Sequence, residues 1–287
     1  LLLVGPRERG SATTKRFDLP GAMLVTAGML LLVFTLVRAP IQGWGKSTTW
    51  LEFAGAAVLV AAFVIREQIA GDPLLPLAVF RIRGLAAANI TGLVGFAGML
   101  AMFFFLTLYM QTVLGYSPFA AGAAYLPLTF AVGIAAGIGA KMIGRFGTRP
   151  AIFVGAVLAA AGMFLLSHVP VHGSYMTDIL PGTALFAAGI GPVFVGITSA
   201  ANAGATTEQA GIVAAILNSA QQIGGALGLA IFSAVATSRT DDLLAGGAGV
   251  HAAATGGYHR AFLIGCAFAL AAAVISLRTV NTHHAEM

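Results

Sequence analysis

The chain has 287 residues, 58% of them apolar and only 9% charged, with a formal net charge of +5. Soluble domains carry roughly 25% charged residues, so a water-facing globule is excluded. The basic surplus sits in short gaps between apolar runs rather than on one polar face, which excludes a nucleic-acid surface and points to a lipid bilayer as the surrounding medium.

In chain order, residues 1–4 (LLLV) read as the end of an earlier apolar span, and GPRERG follows as at a cytoplasmic helix exit. A signal peptide would show the opposite order of charge and apolar run, so the chain is expected to be the C-terminal part of a longer protein. Residues 5–18 form a basic linker. Apolar runs then cover residues 19–37, 51–65, 85–108, 119–140, 150–169, 179–201, 210–236 and 261–277. A helix rising about 1.5 Å per residue needs roughly 20 residues to cross the hydrocarbon core. Most of the runs qualify; the second is short, with Glu52 near its start. Backbone amides in lipid must pair within the element, and no ten-residue alternation suggests a barrel. The predicted fold is therefore an all-α membrane protein with about eight transmembrane helices.

The connections carry further expectations. Trp44 and Trp50 suit the outer interface. Residues 66–84 contain DPLLPLAVFRIRG, whose prolines break a helix, while Leu74, Leu75, Leu77, Val79 and Phe80 with Arg81 and Arg83 suit a segment lying in the interface. Residues 239–258, rich in Gly and Ala, read as a mobile external loop. His168 and His172 are four apart, but Pro170 between them argues against a helical metal pair, so no metal site is expected. The lone Cys266 reads as a small packing residue.

An even number of spans puts both termini on one side. That side collects eleven of the Lys and Arg residues and the other only Arg38, Lys46, Arg239 and Arg260. By the positive-inside rule both termini are expected in the cytoplasm, with the protein in the cell membrane.

Three groups of residues carry possible function. Residues 141–150 read KMIGRFGTRP, a tight basic turn between two helices in which Lys141, Arg145 and Arg149 are either membrane anchors or a gating clasp on helix C-termini, with Gly147 turning the chain. The seventh span reads AGIVAAILNSAQQIGGALGLAI. Asn218, Gln222, Gly225 and Leu229 recur on one helical face there, and Gly224 with Gly228 forms a GxxxG pair for close approach. Unpaired amides are costly in lipid, so Asn218, Gln221 and Gln222 are expected to face a neighbouring helix or a wet cavity. In the third span Asn89, Gly92, Phe96, Met99 and Phe103 share a face, which serves either packing or a lipophilic ligand. Tyr125, Pro127 and Thr129 are further cavity candidates, and Gly133 with Gly137 is read as a second close-approach pair. No Asp or Glu falls mid-span. No nucleotide loop or nucleophile–base arrangement stands out, so an enzyme is not expected and no cofactor is implied.

GRFGTRP resembles the loop motif of the major facilitator superfamily: Arg145, Gly147 and Arg149 match, Gly144 replaces the usual acid, and Ala140 the first glycine. The seventh span, the PLLPLAVFR segment and GIGP at residues 189–192 are similar to the fourteen-span drug:proton antiporter branch. The resemblance covers essentially the whole chain and implies that its spans are the last eight of fourteen. It divides the chain into residues 1–18 (the end of a preceding span and a linker), 19–84 (an inserted helix pair and interfacial segment) and 85–287 (the C-terminal six-helix bundle and a tail). The missing N-terminal six-helix half is then the chief partner, and the carboxylate that carries protons lies there. The implied function is proton-coupled efflux of lipophilic small molecules by alternating access, with the third span lining the central cavity. Alternatives are a dedicated exporter of one metabolite or lipid, and a non-transport integral membrane protein.

Overall fold

The computed structural model describes residues 18–43, 45–69, 79, 81–82 and 84–282. The expectations for the basic linker, for Trp44 and for most of residues 66–84 lie outside them. The helices are α1 (Leu19–Gln42), α2 (Ser47–Ile69), α3 (Leu85–Leu108), α4 (Pro118–Ala123), α5 (Leu126–Phe146), α6 (Thr148–Leu166), α7 (Leu180–Asn202), α8 (Ala210–Ala245) and α9 (Val250–Ser276). Single π-turns extend α3 over Tyr109–Val113 and lead into α7 over Tyr175–Ile179. Among the described residues there are eight helical segments long and apolar enough to cross a membrane, and no strand.

α1 and α2 form a hairpin that joins the rest through α1 on α8, while α3 and α5 to α9 pack as one bundle. Glycine sets the closeness of that packing. A methyl group on Gly155 or Gly162 of α6 would overlap backbone at Gly189 or Gly182 of α7, and one on Gly139 of α5 would strike Pro192. Gly224 and Gly228 bring α8 onto Leu93 and Ala97 of α3 in the same way, as their spacing predicts. Without a hydrophobic force between helices in lipid, such close contact is the main source of association.

Five local expectations change. The second span is not short: α2 runs Ser47–Ile69, carrying Arg66 and a buried Glu67 inside its last turns. The fourth span is broken. Ser117 caps α4 by accepting from the Ala120 amide at 3.2 Å, and α5 starts afresh at Leu126 because Pro127 cannot donate to the preceding turn. Residues 239–258 are not a loop. α8 continues to Ala245 and α9 begins at Val250, leaving a turn at 246–249 with Gly247 at φ 83°. The two helices stay joined past the apolar spans because Gly257 lets α9 reach the Ala236 carbonyl and Thr240. Gly133 and Gly137 meet no atom of another element, and the close approach of α5 falls instead to Gly139. Val79, expected in the interface, is fully buried against Leu85 and Ala88.

Candidate functional site

The third helix and the seventh meet along a shallow apolar groove. Gly92, Gly95, Phe96 and Met99 of α3 face Ile190, Val193, Phe194 and Ile197 of α7, and Gln221 of α8 is the one amide in the lining. A second crevice continues from Gly95 and Met99 toward Met163 and Phe186. Their volumes are about 10 and 20 Å³, each room for a single water molecule. Ligand pockets run to roughly 300–1,000 Å³, so these residues line a shallow groove and enclose no pocket of ligand size. The wall itself is adaptable: Met99 and Met163 are unbranched and polarizable, and Phe96 presents a partly exposed ring.

Of the cavity candidates, the groove brings together Phe96, Met99 and Gln221. Gln221 is 8% exposed and Cγ lies 4.0 Å from where a side chain on Gly92 would begin. Asn89 sits one turn nearer the start of α3 and is absent from the lining; its Nδ2 donates to the Leu85 carbonyl at 2.9 Å, and its buried Oδ1 has no partner among the described residues. Tyr125 is committed elsewhere. Its hydroxyl lies 2.9 Å from both Thr107 Oγ1 and the Phe103 carbonyl, pinning the start of α5 to α3. Thr129 donates to the Tyr125 carbonyl at 3.0 Å and lies on an exposed face of α5.

The amides of α8 divide. Gln221 points into the bundle with Gly224 and Gly228, whereas Asn218 and Gln222 are exposed. The proposed single face is thus split, because the GxxxG stripe that contacts α3 carries Gln221 with it and turns its neighbours outward. None of the three amides bonds to a described residue. Gly225, expected beside Gln222, is buried against Leu100 and Phe96.

At the end of the bundle that holds the C-terminus, the basic turn is occupied by residues 279–282. Thr148 Oγ1 donates to the Val280 carbonyl at 2.6 Å and accepts from the Thr282 amide at 3.2 Å. The Thr148 amide donates to the Thr282 carbonyl at 3.1 Å, and that of Arg149 to Asn281 Oδ1 at 3.1 Å. Arg149 Nε donates to the Thr279 carbonyl, just past the C-terminus of α9. Gly147 makes this crossing possible, at φ 87° and directly beneath the Asn281 side chain. Lys141 and Arg145 are exposed and form no ion pair with a described residue. Nothing in the sequence pattern marked Thr148 or the tail, because the contact joins segments 130 residues or more apart.

A second polar contact closes the α1–α2 hairpin. Asp18 caps α1 by accepting from the Gly21 amide at 3.2 Å and pairs with Arg66 at 3.1 and 3.2 Å. The Arg66 guanidinium holds the Asp18 carboxyl below its ordinary range. Among the described residues no cluster of His, Cys, Asp and Glu could hold a metal, and His168 bonds to the Phe164 carbonyl at 2.8 Å in a turn.

The described residues thus form a bundle of close-packed helices long enough to cross a membrane, with a shallow apolar groove between α3 and α7. Residues 10–229 match the model of the Major Facilitator Superfamily, and the chain belongs to that family. It is a multi-pass membrane protein of that family, with eight helices among the described residues long and apolar enough to cross a bilayer. It is 37% identical over 274 residues to the puromycin resistance protein pur8 of Streptomyces alboniger, covering 92% of this chain and 53% of that protein. It is 36% identical over 244 residues to the tetracenomycin C resistance and export protein of Streptomyces glaucescens, covering 84% and 45%. Against the multidrug resistance protein Stp of Mycobacterium tuberculosis the figures are 29% over 235 residues, 82% and 43%. The chain thus spans about half the length of the curated relatives it matches.

Proposed function

We propose that the chain is the C-terminal part of a proton-coupled efflux transporter of the fourteen-span branch, exporting drugs or other lipophilic small molecules by alternating access. The observation that carries this reading is the groove wall between α3 and α7, apolar, methionine-containing and with Gln221 as its one amide. Such a surface repacks around bulky ligands of different shape and offers one orienting hydrogen bond. The opposing wall and the proton-carrying carboxylate come from an upstream six-helix half in this reading. Glu52 and Glu67 lie toward the ends of α2, away from that groove. Residues 19–84 are then an inserted pair, residues 85–287 the C-terminal bundle, and both termini face the cytoplasm.

Arg149 acts here as a clasp: its bond to the Thr279 carbonyl, at the negative end of the α9 dipole, favours one conformation of the bundle. The test is efflux of a fluorescent cationic dye from cells, with and without a protonophore. Full-length transporter should extrude dye only while the proton gradient stands, Gln221→Ala and Met99→Ala should raise KM, and residues 1–287 alone should be inactive. Energy-dependent efflux by this chain alone would refute the two-half reading. The relative that is a tetracenomycin C resistance and export protein favours a second reading, export of a single metabolite. Gln221→Ala would then change transport of one compound and leave dye resistance untouched.

A further inference from the structure

We propose that the end of the bundle opposite the C-terminus carries a binding site for a phospholipid headgroup, held by Arg239 and Arg260. α8 has no charged residue from Ala210 until Arg239, and none lies between Arg260 in α9 and Arg278 just beyond that helix. On two packed antiparallel helices, Arg239 and Arg260 are therefore the first charges met on leaving the apolar core, at the depth where lipid phosphates lie. Both line one open cavity of about 380 Å³, together with Ser238, Asp242, Ala234 and Val235.

Neither arginine forms a hydrogen bond or ion pair with a described residue, although Asp242 shares the cavity. A guanidinium stays charged and offers five donors, so the pair presents ten donors in a planar geometry that matches phosphate oxygens. The cavity is far larger than a lone phosphate requires, and Ala234 and Val235 add apolar lining about one helical turn before Arg239, toward the apolar stretch of α8. Arg–phosphate contact above and an acyl chain against α8 below use the whole of it. Asp242 would repel a purely anionic headgroup, but it pairs with a primary ammonium. The lining, two cations and one anion, thus suits a phosphodiester bearing an amine.

The experiment is native mass spectrometry of the delipidated full-length transporter incubated with equal amounts of dioleoyl phosphatidylethanolamine, phosphatidylglycerol and phosphatidylcholine. The wild type should retain the ethanolamine lipid in preference to the other two. Arg239→Gln/Arg260→Gln should lose that retention about tenfold or more, while Arg239→Lys/Arg260→Lys keeps most of it. Asp242→Asn should erase the preference for the amine headgroup over phosphatidylglycerol without abolishing binding. Arg38→Gln, a cation on another helix stacked over Phe34, serves as the unaffected control. Equal retention by the wild type and the Gln double variant overturns the site. So does a wild type that retains no lipid selectively, which would leave the arginines to the upstream segment. Displacement of the lipid by 10 mM inorganic phosphate would show a free-anion site and overturn the lipid assignment.

Discussion

Replacing Gly147 by alanine isolates what the crossing of the tail over the α5–α6 turn is worth. Gly147 stands at φ 87° and ψ 174°, a region open essentially to glycine alone, and a side chain there costs of order 1–3 kcal/mol in backbone strain. The new methyl would also overlap the Asn281 carboxamide, displacing the oxygen that accepts from the Arg149 amide. Losing that bond adds about 1 kcal/mol, so Gly147→Ala should destabilise the bundle by roughly 2–4 kcal/mol. The assay is reversible denaturant unfolding of the full-length transporter in mixed micelles, run as a double-mutant cycle with Asn281→Ala. Asn281→Ala alone should cost only about 1 kcal/mol. In the Asn281→Ala background, alanine at 147 should cost the strain alone. A Gly147→Ala penalty below about 0.5 kcal/mol, the level of a neutral surface change, would refute both the conformational and the contact argument.

Other perturbations should separate the remaining contacts. Tyr125→Phe removes the hydroxyl shared by the Phe103 carbonyl and Thr107, and should lower bundle stability by about 1–2 kcal/mol without changing substrate KM. Gly228→Val places bulk against the Ala97 backbone, and overpacking there should cost about 1–3 kcal/mol, read as loss of the monodisperse species on size exclusion. Because Asp18 is held below its ordinary pKa, its pairing with Arg66 stabilises the hairpin above about pH 4 and is lost as pH falls through the lowered value. Thermal unfolding should therefore show a loss of stability toward pH 3 that is absent in Asp18→Asn. Arg149→Ala should reduce turnover with little change in substrate affinity, a conformational bias of roughly 1–3 kcal/mol. A large affinity loss at unchanged turnover would instead place Arg149 at the ligand.

The spans were legible in the sequence because length and hydropathy are local properties, and each of the eight predicted runs overlaps one of the eight membrane-length helical segments. What escaped was decided by partners distant in sequence or by single residues. The break between α4 and α5 depends on Pro127 together with the Ser117 cap, a local signal hidden by uniformly apolar neighbours. The continuation of α8 past Arg239 depends on Gly257 and Gly256 of the next helix, which composition alone reads as a flexible loop. Gly133 and Gly137 show the converse: a correct spacing with nothing opposite it. In the candidate site, Phe96 and Met99 were readable from the stripe on α3. Ile190, Val193 and Phe194 were not, since a wall shared by two helices is a tertiary fact.

The polar side chains of the spans separate by reach. Thr35, Thr91, Thr183, Thr198 and Thr255 each donate to the carbonyl four residues earlier, at 2.7–3.0 Å. Such a hydroxyl is satisfied within its own helix and commits the span to no particular neighbour. Asn89 and Asn202 donate one amide hydrogen in the same manner. Asn218, Gln221 and Gln222 do not, so the seventh span alone concentrates three amides with no partner among the described residues. An unsatisfied amide is expensive in hydrocarbon, and evolution toward mere packing would have favoured Ala or Leu at these positions. Gln221, turned into the groove, offers its hydrogen bonds to whatever enters there. Asn218 and Gln222, turned out of the bundle, need water or a second protein surface against α8. The two demands lie on adjacent faces of one helix. A displacement of α8 against such a surface would therefore move Gln221 with it, and on the alternating-access function proposed above this is the coupling expected of a helix between the groove and an upstream half.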